Sequence, residues 1–153
     1  MRIAEINSCN FGSTGNVMLE IAEVAEKCGH TAAVCYPKSR GNAKKQKETD
    51  IVIGSRLSRN LHLKLAEITG LNGCFSYFST LKLLKKLDKF KPDIIHLHNL
   101  HNCYINLSLL FKYIKKHNIK TVWTLHDCWA FTGHCPHFDM IGCDKWKTGC
   151  YGW

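Results

Sequence analysis

The sequence predicts an α/β domain, a Rossmann-like parallel sheet with helices on both faces. Short apolar runs alternate with longer segments whose apolar residues recur every third or fourth position. The runs "DIIHL" (93–97) and "TVWTL" (121–125) are nearly continuous, as expected of strands covered on both sides. The chain has 153 residues, 45% hydrophobic and 22% charged, which suits one domain with its own core.

Along the chain, "RIAEIN" (2–7) is a strand, and "CNFGSTG" (9–15) is a glycine-bearing loop. From Asn16 the period becomes helical, with Val17, Ile21, Val24, Ala25 and Cys28 on one face. Gly29 is a helix stop, because glycine takes the left-handed position cheaply. "HTAAVCY" (30–36) is the second strand, and the polar, lysine-rich stretch 37–50 is a long loop. "IVIG" (51–54) is a short strand, and a helix over 55–70 comes next with Ser55 as its N-cap. A turn region (71–78) leads to an amphipathic helix over 79–90 with Leu81, Leu84 and Leu87 on its stripe. Pro92 forbids its continuation. "DIIHLHN" (93–99) is a strand, and 105–118 is a helix with Leu110, Tyr113, Ile114 and His117 on one side. "KTVWTLHD" (120–127) is the last strand. The division is therefore 1–127, a Rossmann-like domain, and 128–153, an irregular segment rich in Cys, Gly and aromatics.

Lysines and arginines outnumber acids 21 to 12, a formal net charge of +9. Such a surplus favours anionic partners, although a solvated lysine face explains it equally well. The basic residues sit on amphipathic helices without interleaved aromatics, which argues against nucleic acid. The N-terminus has acids and asparagines where a secretion signal needs an apolar stretch. No apolar run approaches the ~20 residues that span a bilayer. The expectation is a cytoplasmic protein, peripheral at most to the inner face of the plasma membrane. Nine cysteines in a reducing compartment predict thiols rather than a disulfide framework.

In open α/β sheets, ligands bind outside the carboxyl ends of the strands. Three connections bring polar residues to that edge: Gly12-Ser13-Thr14-Gly15, then His98, Asn99, His101 and Asn102, then His126 and Asp127. The glycine loop opens a helix whose first N–H groups lack partners, so it serves as an anion dock or as a plain tight turn. Its G-x-x-G spacing is neither a dinucleotide fingerprint nor a P-loop, and Lys38 and Arg40 stand where a ribose-binding acid is needed. His96 and His98 share one face of their strand, His96 as a core residue and His98 nearer the ligand edge. His126 can hydrogen-bond a sugar or phosphate oxygen or move a proton. Asp127 either orients that imidazole or caps the turn after it. Cys128, Cys135, Cys143 and Cys150, with His134 and His137 nearby, are candidate ligands of one structural zinc. Buried thiols are the plainer reading, since the gaps exceed those of a usual zinc pair.

The stretches "INSCNFGSTGNVMLEIAEVAEKCGH", "DIIHLHNLHNCYINLSLLFKYIKK" and "TVWTLHDCWAFTGHCPHFDMIGCDKWKTGC" together resemble the N-terminal domain of a family 4 (group 1) GT-B glycosyltransferase. The last is specific to a bacterial subgroup that builds surface polysaccharides. The resemblance implies two Rossmann-like domains facing across a cleft, with the acceptor on the N-terminal side and the nucleotide-sugar on the other. It implies that Gly12–Gly15 approach the donor diphosphate and that His126 contacts the donor sugar. It implies transfer with retention and no metal or cofactor required for catalysis. The acceptor it implies is a glycan or a polyprenyl-diphosphate-linked one. The family's donor-binding E-x₇-E pair has no counterpart, since no glutamate comes after Glu67. The expectation is therefore half of a transferase, inactive alone. A stand-alone module binding a phosphorylated glycan or a protein partner is the competing reading, and nucleic-acid binding is the weakest.

Overall fold

The computed structural model describes residues 1–39, 41, 42, 47–133 and 135–149. Five strands form one parallel sheet: β1 (Arg2–Ile6), β2 (Thr31–Pro37), β3 (Ile51–Ile53), β4 (Ile94–Leu97) and β5 (Lys120–Trp123). Their spatial order is β3-β2-β1-β4-β5, so the winding reverses between β1 and β4. That is the topological switch point, where open sheets leave a crevice.

The helices are α1 (Gly12–Lys27), α2 (Arg56–Thr69), α3 (Tyr77–Phe90) and α4 (Leu107–His117), with short α5 (Trp129–Thr132) and α6 (Lys145–Thr148) beyond β5. The main core joins Ala4, Ile6, Ile95 and Leu97 of the sheet to Leu83 and Leu87 of α3 and Leu110 of α4. On the opposite face Met18 and Ala22 of α1 pack against Ala32, Val34 and Tyr36 of β2. Helices therefore cover both faces. Trp129 is buried in the main core, so the Cys-rich segment is anchored to the domain at its first turn.

Three expectations change. The glycine segment is not a loop before the helix but the first turn of α1 itself. The buried face of α1 is Gly15, Met18, Ala22 and Ala25, while Val17 and Val24 are exposed. At Gly15 the helix lies close to the preceding chain: a Cβ there would stand 2.8 Å from the Asn10 carbonyl carbon. Finally, β5 ends at Trp123 and is not covered on both sides. Lys120, Thr121 and Val122 are exposed, as befits the outermost strand of an open sheet.

Candidate functional site

At the switch point the odd-numbered residues of β1 and the even-numbered residues of β4 share one face. Glu5 lies in register with His96, and His96 with Val122. The alternation continues past the strand ends, so Asn7, His98, Thr124 and His126 extend the same face.

Glu5 is fully buried in the middle of β1. Its two oxygens accept from two histidines: Oε1 from His96 Nδ1 of β4 at 3.3 Å, and Oε2 from His98 Nε2, just past β4, at 2.8 Å. Burial raises the Glu5 carboxyl, but the two imidazole hydrogen bonds outweigh it and hold the group below its ordinary value. The far nitrogen of His96 lies 2.8 Å from Thr124 Oγ1. The far nitrogen of His98, Nδ1, lies 2.9 Å from His126 Nε2, and the two rings stack at 17°. A chain of polar contacts thus crosses three strands and ends at His126.

His126 is half-buried, in the turn three residues after β5 rather than at the end of a strand. Burial lowers its pKa, the neighbouring His98 and His96 add to this, and Asp127 opposes. The imidazole is therefore neutral near pH 7.

Asp127 does not orient His126. Its Oδ2 lies 2.8 Å from His101 Nε2, and its Oδ1 accepts from the Trp129 N–H at 2.9 Å. The carboxylate holds His101 and starts the turn of α5. Asn99 donates its backbone N–H to Asn7 Oδ1 and accepts at its carbonyl from the Tyr104 hydroxyl, at 3.3 Å and 2.8 Å. Asn102 is exposed with φ of 77°, and its carbonyl accepts from Arg59 Nε. It stands apart from the histidine chain.

Gly12, Ser13 and Thr14 open α1, which begins after Phe11 without a side-chain cap. Gly12 has φ of +71°, a conformation that side chains rarely adopt. Of the basic pair after β2, Lys38 is exposed and Arg40 lies outside the described residues.

Cys128, Cys135 and Cys143 are free thiols, as are the other described cysteines. Desolvation and the Asp139 and Asp127 carboxylates raise the Cys128 thiol. Among the described residues, these three and His137 form no group of three converging ligand atoms. Cys150 and His134 lie outside the described residues. The one such group described is Glu5, His96 and His98, already engaged in hydrogen bonds.

Two buried polar residues of the crevice escape the sequence reading. Glu5 is an acid inside the apolar strand "RIAEI", and that placement was its signal. Asn7 is fully buried, and its Nδ2 has no partner among the described residues, at the crevice itself. A lone asparagine after a strand gives no such warning.

In comparison with known proteins, Glycosyltransferase Family 4 matches over residues 14–148. The chain is 42% identical over 64 residues to the inferred colanic acid biosynthesis glycosyl transferase WcaC of Escherichia coli (strain K12), covering 39% of this chain and 15% of that protein. It is 40% identical over 58 residues to glycogen synthase of Desulfitobacterium hafniense (strain DSM 10664 / DCB-2), covering 35% of this chain and 12% of that protein. These matches span far less than half of either relative. In fold it resembles the glycosyltransferase VinC, solved in complex with DTDP, with a TM-score of 0.53 at 13% identity. That likeness covers 93% of this chain and 43% of VinC, so the Rossmann-like sheet corresponds to one half of a GT-B architecture. With a family match running from the first turn of α1 to the end of α6, the chain belongs to Glycosyltransferase Family 4.

Proposed function

We propose that this chain forms the acceptor-side half of a retaining glycosyltransferase. The enzyme moves a sugar from a nucleotide-sugar to a glycan or a lipid-linked acceptor. The observation that carries the reading is the convergence at the switch point. The ends of β1, β4 and β5 deliver Asn7, His98 and His126 to one crevice, beside the uncapped first turn of α1.

Chemistry assigns the roles. The free N–H groups and dipole of α1 suit the donor diphosphate, which gains charge as its bond to the sugar breaks. Neutral His126 hydrogen-bonds a donor hydroxyl and fixes the sugar's orientation. Transfer breaks the bond between the anomeric carbon and the diphosphate oxygen. It forms one to the acceptor oxygen, whose proton leaves with the diphosphate. No metal is assigned to this chemistry.

The cavity at His98, His126 and Trp129 is only about 10 Å³, room for about one water. A cavity this small cannot enclose a sugar, which favours a site completed by a second, donor-holding domain. The chain alone is expected not to turn over. The test is sugar transfer by this chain joined to a family donor domain. His126→Ala is expected to lower kcat about 10–10²-fold, the loss of one orienting hydrogen bond. Full activity in that variant, or turnover by the 153-residue chain alone, overturns the assignment.

A further inference from the structure

The hydrogen bonds around Glu5 can be assigned donor by donor. An ionised carboxylate only accepts. Both imidazoles against it must therefore present N–H groups, His96 through Nδ1 and His98 through Nε2. A neutral imidazole has one N–H, so the other nitrogen of each ring accepts. For His96 that acceptor is Nε2, which takes the Thr124 hydroxyl proton. For His98 it is Nδ1, whose partner is His126 Nε2. His126 must then carry its proton on Nε2. Its Nδ1 has no hydrogen-bond partner among the described residues and is not sealed from solvent.

The alternative charges His98 and reverses the last bond. It would place a buried cation against two more imidazoles, with ring centroids at 4.3 Å to His96 and 5.2 Å to His126. The neutral arrangement gives both nitrogens of His96 and of His98 a partner and leaves Glu5 as the one buried charge of the chain.

We propose that Glu5 is a positioning residue which, through His98, fixes His126 as the Nε2–H tautomer. The nitrogen left free on His126 is then a bare acceptor. It selects a hydroxyl, as on a sugar, and not a phosphate oxygen, which needs a donor. The relevance to transfer rests on the function proposed above, but the proton arrangement does not.

The test is nitrogen-15 NMR of the histidine-labelled chain near pH 7.5, where His126 is neutral. The expected spectrum shows His126 protonated on Nε2, with a coupling across the hydrogen bond to His98 Nδ1. A His126 ring protonated on Nδ1 overturns the proposal, and this measurement needs no variant to fold. Glu5→Gln then tests the cause. An amide offers one acceptor and one donor face, so one of its two histidines must surrender its N–H. If His98 switches tautomer, His126 must switch with it. If His96 switches, His126 must stay. No switch at either ring, or a His98 switch without His126, sinks the role of Glu5. These spectra need no turnover, so a failed relay and a failed transferase reading are told apart.

Discussion

His62 shows what a single buried imidazole does to this fold. It lies on α2, 1% exposed, with Nδ1 2.7 Å from Ser76 Oγ and Nε2 buried without a partner among the described residues. Burial pushes its pKa down to about 4. A histidine depressed in the folded state takes its proton first in the unfolded chain. Its stabilising contribution is therefore full above the unfolded value of ~6.5 and is lost as pH falls toward the folded value. His126, lowered by burial and by His98, works in the same direction. Glu5, held below its ordinary value, adds a further loss at lower pH as its carboxylate protonates. The urea midpoint is expected to drop between about pH 7 and pH 4.5. His62→Phe, which cannot be protonated, should flatten part of that slope. An identical slope in the variant would show that His62 does not drive it.

Helix ends and helix faces carry the predictions at the next scale. Asn106 caps α4 by accepting from the Leu109 N–H at 3.0 Å. Its own N–H donates to Thr80 Oγ1 at 2.8 Å, and its Nδ2 donates to the Cys74 carbonyl, so it ties α4 to α3 and to the turn before it. Ser55 caps α2 with one exposed bond to the Ser58 N–H. Asn106→Ala should cost about 2–3 kcal/mol, through the lost cap and a stranded carbonyl. Ser55→Ala should cost about 0.5–1 kcal/mol. Gly15→Ala drives a methyl against the Asn10 backbone and should cost about 1–3 kcal/mol. Denaturant titrations check all three, and equal costs at the two caps would count against the burial argument.

The same elements show what the sequence made legible. Element order, the Ser55 cap and Leu110, Tyr113 and Ile114 of α4 were readable, because periodicity and caps are local properties, although His117, read onto the same side, is exposed. The face of α1 was not. Bulky Val17 and Val24 attract a hydrophobic reading, yet the buried face carries Met18 with Gly15, Ala22 and Ala25, and the chain passes too close to Gly15 for any side chain there. The end of β5 was misplaced for a related reason. Apolar Val122 and Leu125 look buried, but both are exposed, and among the described residues no strand pairs with the outer side of β5. The crevice residues His98 and His126 were found because a fold rule points to strand ends. Glu5 was missed because its partners come from 91 and 93 residues away in sequence.

On the scale of the molecule, part of the basic surplus lines one groove. A groove of about 470 Å³ between α3 and α4 has apolar walls from Leu81, Leu84 and Leu109, and a rim of Lys82, Lys112 and Lys116. Phe78 stands 77% exposed at its end. Within the described residues no helix is long and apolar enough to cross a membrane. Apolar walls under a lysine rim are the chemistry that an anionic lipid surface would attract. Vesicles containing anionic lipid should sediment with the chain, and a salt increase from about 0.05 to 0.3 M should weaken that several-fold. Lys112→Glu with Lys116→Glu should lose most of it. Equal sedimentation with neutral vesicles would remove the charge argument. The polar chain across the central strands has a consequence for assembly as well. Strand β1 could slide two residues along β4, setting Glu5 opposite Ile94, and every apolar side chain would still face its proper layer. Hydrophobic matching is blind to that error. Glu5 is not, because the slip would strand a buried carboxylate away from its donors. The histidines that aim the cleft therefore also proofread the alignment of the sheet that carries them.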